Sequence, residues 1–213
     1  ETRPHPETSL KLSYSEISSF NDCGYAYRLR NRMGFPVRFA AELGYGKAVH
    51  HVLRSVAEQT KHRGQVPDSN EVDQILDSSF FLPAANKVGH REMKNSAREL
   101  IGIYITKHKS DLFRIWETER PFELRLDGVT VSGRADVILD NEGGIPTGLA
   151  ILDYKTSTKA DINDHDLQLQ IYVNAGRREG LDVKNAYVHD LKVSKRFSVS
   201  VTKKDLISAE KLV

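Results

Sequence analysis

Leu149-Ala150-Ile151-Leu152-Asp153-Tyr154-Lys155 is the stretch on which the fold turns. Its run of apolar residues, followed at once by charge, reads as a short strand buried on both faces, the kind that sits inside a sheet covered by helices. Side chains two apart on a strand share a face, so Asp153 and Lys155 project side by side where the strand leaves the core. Upstream, Phe122, Leu124 and Leu126 alternate, Asp127-Gly128 is a hairpin turn signal, and Val129, Val131, Val137 and Leu139 carry the apolar pattern on. Two antiparallel strands from Trp116 onward are predicted, with a loop at Asn141-Glu142-Gly143-Gly144 and Pro146 before the buried run. Downstream, a helix from about 164 to 178 and two strands near 186–188 and 197–201 finish the sheet.

The first half reads as mostly helical. Ser13-Tyr14-Ser15-Glu16 has capping-box spacing, and Ile17, Phe20, Tyr27 and Leu29 form a stripe, predicting a helix to about residue 32. Val49, Val52, Leu53 and Val56 recur at helical spacing between Gly44 and Gly64. Further helices are expected over 69–82 and 91–105, parted by Pro83 and Gly89. Residues 1–11, prolines and polar residues at their head, read as a linker at the start of a piece of something longer. The rest, 12–213, is predicted as one α/β sandwich domain, helical over about 12–112 with its sheet core over about 116–202.

The chain has 213 residues, 39% hydrophobic and 28% charged, with 31 basic against 29 acidic side chains and a net charge of +2. That balance excludes charge-driven disorder and a uniformly basic coat, so any nucleic-acid surface must be local. No apolar run approaches the roughly 20 residues that cross a bilayer, and no signal-peptide stretch opens the chain, so a soluble, cytoplasmic protein without a membrane partner is expected. Cys23 is the sole cysteine. An internal disulfide, a four-thiolate zinc site and an iron–sulfur cluster held by the chain's own thiols are therefore excluded, and any metal must be held by oxygen and imidazole.

Asp136, Asp153 and Lys155 fall at or near predicted strand ends in polar settings that packing does not require. Two carboxylates can hold Mg²⁺ through oxygen, the ion can polarise a phosphoryl oxygen and acidify a water, and a lysine can orient or deprotonate that water. On spacing alone, a structural Asp153–Lys155 ion pair is the commoner explanation. The constellation is larger than that pair. Gly46-Lys47-Ala48-Val49-His50, Gly133-Arg134-Ala135-Asp136, Asp153-Tyr154-Lys155 and Gln168-Leu169-Gln170-Ile171-Tyr172 resemble, in order, the motifs of RecB-type nuclease domains of the PD-(D/E)XK superfamily, found on superfamily-1 helicases and among CRISPR-associated exonucleases. Ser13 to Cys23, with Tyr25 and Tyr27, is similar to the stretch preceding the histidine motif there, and the resemblance runs over about 12–201.

This resemblance implies a restriction-endonuclease-like mixed β-sheet flanked by helices, and a Mg²⁺- or Mn²⁺-dependent deoxyribonuclease, expected to be an exonuclease. It implies a role in DNA repair or recombination with a helicase in the same chain or complex. Residue by residue, it implies that His50, Asp136, Asp153 and the Tyr154 backbone carbonyl bind metal and that Lys155 is the catalytic lysine. Gln168 and Tyr172 share a helical face, with Asp164 one turn earlier, and are expected to support the site and touch DNA. His51 points about 100° away and is read as structural. Ala135 stands where the superfamily's proline would be. Cys23 lacks partners for an iron–sulfur cluster, so none is expected, and the thiol is read as packed.

Local basic stretches fit a DNA path, whether for a single strand or a duplex end. Between Arg28 and Arg63 eight basic residues, among them Arg28, Arg30, Arg32 and Arg38, stand against Glu42 and Glu58; near the carboxyl end Lys195 and Arg196 belong to a second stretch. Arg28, Arg30, Arg32, Lys195 and Arg196 are the expected DNA contacts. A non-catalytic DNA-binding module with the same fold is the alternative, and a protein-docking domain a weaker third.

Overall fold

The computed structural model describes residues 10–35, 40–141, 147–156 and 165–212. Strand β4 (Leu149–Lys155) is buried throughout except at Lys155, and runs between β3 (Val129–Leu139), antiparallel, and β5 (Val183–Asp190), parallel. Strand β6 (Lys195–Val199) pairs antiparallel with β5, and β2 (Ile115–Leu126) antiparallel with β3 across the Asp127-Gly128 turn. Strand β1 (Leu10–Ser13) completes a six-stranded mixed sheet by lying parallel to the first residues of β3. One face carries α3 (Tyr45–Arg63), α4 (Ser69–Ser79), α5 (Lys87–Lys107) and the short α6 (Lys109–Leu112), whose apolar residues pack on Val137, Leu139, Ala150, Leu152 and Tyr154. The other face is covered by α1 (Tyr14–Asp22), α7 (Asp166–Arg178) and α8 (Lys203–Lys211).

The register of β3 opens the place where a site can form. Since β2 occupies one edge of β3, β1 and β4 must share the other. The β1 ladder stops at Ser132 and the β4 ladder starts at Val137, so Gly133-Arg134-Ala135-Asp136 has no strand along that edge. One step beyond the Val137–Leu152 pair, Asp136 and Asp153 come opposite each other. At the same level β2 and β3 change face. Arg120 reaches Glu179 at the end of α7, and Ala135 packs in the α7 core, whereas Thr118 bonds Glu58 of α3 and Val137 packs in the α3 core. Residues two apart on a regular strand would share a face. Glu119, at φ 52, absorbs the change in β2.

Helix α3 spans the predicted interval, with Gly44 and Gly64 both left-handed at its ends. Other expectations are corrected. Leu10 and Lys11 are strand rather than linker, because so short an alternation becomes a strand only through the waiting edge of β3. The helix expected to reach residue 32 breaks at Cys23, where φ −165 and ψ 101 are extended backbone. The Cys23 thiol accepts from Ala26 N–H at 3.4 Å, capping α2 (Gly24–Tyr27), and a π-helical turn over Arg28–Arg32 follows. Cys23 is thus an exposed cap and not a packed side chain. Helix α5 begins behind the Asn86 cap, so Gly89 lies in its first turn instead of between helices. Helix α8 was not expected: it buries only Leu206 and Ala209, too narrow a stripe to show a period, and is started by Thr202 and Asp205 capping each other. Residues 1–9, Arg38, the Glu142–Pro146 loop and Asp164 lie outside the described residues.

Candidate active site

Four elements meet at the strandless edge of β3. Helix α3 packs Val49, Val52, Leu53 and Val56 on the sheet and leaves His50 at the boundary, its side chain 24% exposed. Its Nδ1 faces Asp136 Oδ1 at 3.2 Å. The other oxygen of Asp136 accepts the Tyr154 N–H at 2.7 Å. In a strand the N–H and C=O of one residue point to the same edge, so the Tyr154 carbonyl opens into this gap too. At Gly46 α3 comes close to the end of β4: a Cβ there would stand 3.1 Å from Thr156 Oγ1, tighter than an ordinary contact.

Asp153 is 3% exposed. Its Oδ2 pairs with Lys155 Nζ at 2.7 Å, and its Oδ1 accepts from Gln168 Nε2 at 3.3 Å. Lys155 also donates to Gln168 Oε1 at 3.3 Å, and Gln168 Nε2 donates to the Tyr172 hydroxyl at 3.1 Å. Burial, followed by the charge of Asp136, raises Asp153 to about 6, with Lys155 and His50 pulling the other way. For His50, burial is the largest influence and lowers its pKa, but the Asp136 hydrogen bond and the charges of Asp136 and Asp153 together carry it above the ordinary value. Burial also pushes the Tyr172 phenol up. Tyr172 lies directly on Gly133, where a Cβ would stand 2.2 Å from its ring, so the backbone there must be glycine.

The structure thus brings together His50, Asp136, Asp153, Tyr154, Lys155, Gln168 and Tyr172. It leaves His51 exposed on α3. Arg28, Arg30 and Arg32 are exposed on the turn after α2, without an ion pair among the described residues. Lys195 is exposed, opposite Asp190, which is itself opposite Lys155, so it shares the sheet end of the site two strands away. Arg196, expected on DNA, points to the other face and bonds the buried Asp111 at 2.6 Å; successive residues of a strand face opposite ways. Sequence reasoning missed Arg134 and the serines of α1, which line a cleft of about 810 Å³ together with Lys155 and Gln168. The signal was available in the quartet 133–136, of which only Asp136 had an assigned role.

Among the described residues, no three His, Cys, Asp or Glu side chains are already gathered as a metal centre. Asp153 Oδ2 is turned to Lys155, while Asp136 is turned to His50 and the Tyr154 N–H. The chemistry of the donor set nevertheless fits a hard divalent cation: two carboxylates facing each other, one carbonyl and one imidazole.

A model of the PD-(D/E)XK nuclease superfamily matches residues 11–211. A search of curated proteins finds no match. The crystal structure of a candidate exonuclease from Eubacterium rectale is similar, with a TM-score of 0.57 at 14% identity over 98% of this chain and 79% of that one. SSO0001 (TM-score 0.35, 18% identity, 78% and 84% of the two chains) and protein VC1899 from Vibrio cholerae (0.29, 15%, 98% and 51%) score too low to bear on the fold. The family match runs through all four elements that build the gap in the sheet, and a restriction-endonuclease-like fold accounts for the carboxylates facing each other across it: the chain belongs to the PD-(D/E)XK nuclease superfamily.

Proposed function

We propose that this nuclease is a Mg²⁺- or Mn²⁺-dependent deoxyribonuclease, an exonuclease that works beside a helicase in DNA repair or recombination. The observation that carries the reading is the facing of Asp136 and Asp153 in the gap of the sheet, with Lys155 paired to Asp153. A surface made only to hold DNA would keep carboxylates away from phosphate. His50, Asp136, Asp153 and the Tyr154 carbonyl would hold the cation, which when bound polarises a phosphoryl oxygen and acidifies a water. Lys155, held by both Asp153 and Gln168, orients that water and offsets charge gathering on the phosphate. Gln168 is fixed in turn by Tyr172, so α7 sets the aim of the lysine.

End-labelled linear DNA, single- and double-stranded, and a closed single-stranded circle test this. Cleavage from ends with Mn²⁺ or Mg²⁺, an intact circle and no reaction in EDTA are expected. Asp136→Ala and Asp153→Ala should abolish cutting, and Lys155→Ala should keep metal binding yet lose on the order of 10²-fold in rate. Full cleavage by Asp153→Ala overturns the mechanism, and a cut circle overturns the exonuclease. Tight binding without cleavage under any metal would mark a non-catalytic module.

A further inference from the structure

We propose that the cleft beside Lys155 contains a phosphate subsite built on Arg134, with Glu119 as its positioning residue. This rests on the nuclease reading and adds where a neighbouring phosphodiester of the strand is gripped. The cleft is lined by Lys155, Gln168, Gly133 and Arg134 together with Ser15, Ser18 and Ser19 of α1. Arg134 stands in the strandless stretch of β3, two residues from Asp136, and lines the cleft together with these serines and with Asp22. Arginine forks and hydroxyls are the groups that hold phosphate without reading bases. Glu119 Oε2 meets Arg134 Nη1 at 3.5 Å, while the Arg134 side chain remains 60% exposed, so much of the fork faces solvent.

Stability does not explain this pair. Exposed ion pairs contribute little, less than a glutamate held at φ 52 costs its backbone. What the strained position does is turn β2 so that the Glu119 carboxylate lies beside Arg134 at the level of Asp136. A carboxylate beside one arm of the guanidinium restrains it and leaves the other arm free for a phosphate in the cleft.

Steady-state cleavage and metal-free binding in EDTA, read by fluorescence anisotropy against salt, test the assignment on the full chain. Arg134→Ala should raise KM about tenfold or more with kcat changed less than about twofold. Its salt slope should fall by roughly 0.7–0.9, one phosphate contact. Arg134→Lys should restore the slope but not the KM, since a point charge cannot replace the fork. Glu119→Gln should raise KM severalfold with the salt slope unchanged. An unaltered KM and slope in Arg134→Ala overturn the subsite, as does a loss confined to kcat; a wild-type KM in Glu119→Gln overturns the positioning role. If the wild type cuts nothing, the nuclease reading fails, and the EDTA salt slope still decides whether Arg134 holds a phosphate.

Discussion

Gly133 leaves no room for even one methyl group, because the Tyr172 ring lies where its Cβ would be. That ring is not a flexible tip. Its hydroxyl belongs to the chain that runs through Gln168 to Asp153 and Lys155, and it also bonds the Arg134 backbone. Gly133→Ala should therefore cost roughly 1–3 kcal/mol of stability and most of the cleavage rate, even though residue 133 has no side chain to lend to the chemistry. Chemical denaturation alongside the cleavage assay checks this, and a variant with wild-type values for both would show that the ring yields freely. His189 offers a second test at this scale. It is 0% exposed with neither ring nitrogen hydrogen-bonded, and burial, then the charges of His108 and Arg196, hold it down at about 4, against Asp111. The native imidazole stays neutral where the unfolded chain takes up a proton. Its contribution is thus complete above pH 6.5 and lost as pH falls toward 4. His189→Phe should flatten the fall in stability between pH 7 and 5, leaving the smaller slope of His108, which burial and Arg196 also lower.

At the scale of elements, a strained residue within β2 makes a prediction of opposite sign. Replacing Glu119 by glycine removes a side chain from the left-handed region and should stabilise the chain by about 1 kcal/mol, read as a rise in the denaturant midpoint. An unchanged or lower midpoint would mean that the turn of β2 is held by its side chain. The face change there could not be read from sequence: Phe122, Leu124 and Leu126 alternate regularly, and nothing local marks where the alternation reverses. Legibility followed the strength of local signals. Helix α3 was legible because its stripe is long and glycines bound it at both ends, and β4 because a buried strand has few polar positions. Strand β1 and helix α8 were not, since each depends on a surface supplied by distant residues. The same contrast holds within the site. His50, Asp136, Asp153 and Lys155 carry chemistry in their side chains and could be picked out, whereas Arg134 and Arg196 look alike in a sequence. Only the register of β6 sends Arg196 to Asp111 and only the gap in β3 sends Arg134 to the cleft.

The sheet divides the molecule into two cores, one under α3 to α6 and one under α1, α7 and α8, and the acidic pair lies where both meet the gap. Metal-free folding must therefore bury Asp153 beside Asp136 with only Lys155 and His50 to offset the charge. A carboxyl raised to about 6 from its ordinary 3.8 gives its full contribution below pH 3.8, and that contribution is lost as pH rises through 6. Asp153→Asn should accordingly raise the metal-free melting temperature at pH 7.5, by an amount equivalent to on the order of 2 kcal/mol, with little gain at pH 4. Because His189 drives stability the other way over an overlapping range, the effect is read as the difference between wild type and variant at each pH. Mn²⁺ should reverse the ranking. A cation that binds only the folded chain stabilises it by about 2.7 kcal/mol at a hundredfold excess over its dissociation constant, and Asp153→Asn or His50→Ala should lose much of that gain. Imidazole must shed its proton to ligate, as must Asp153, so the wild-type gain should grow with pH near neutrality and the His50→Ala remainder should grow less steeply. Equal metal-induced shifts in all three proteins would place the ion elsewhere, and would separate α3 from the acidic pair that it packs against.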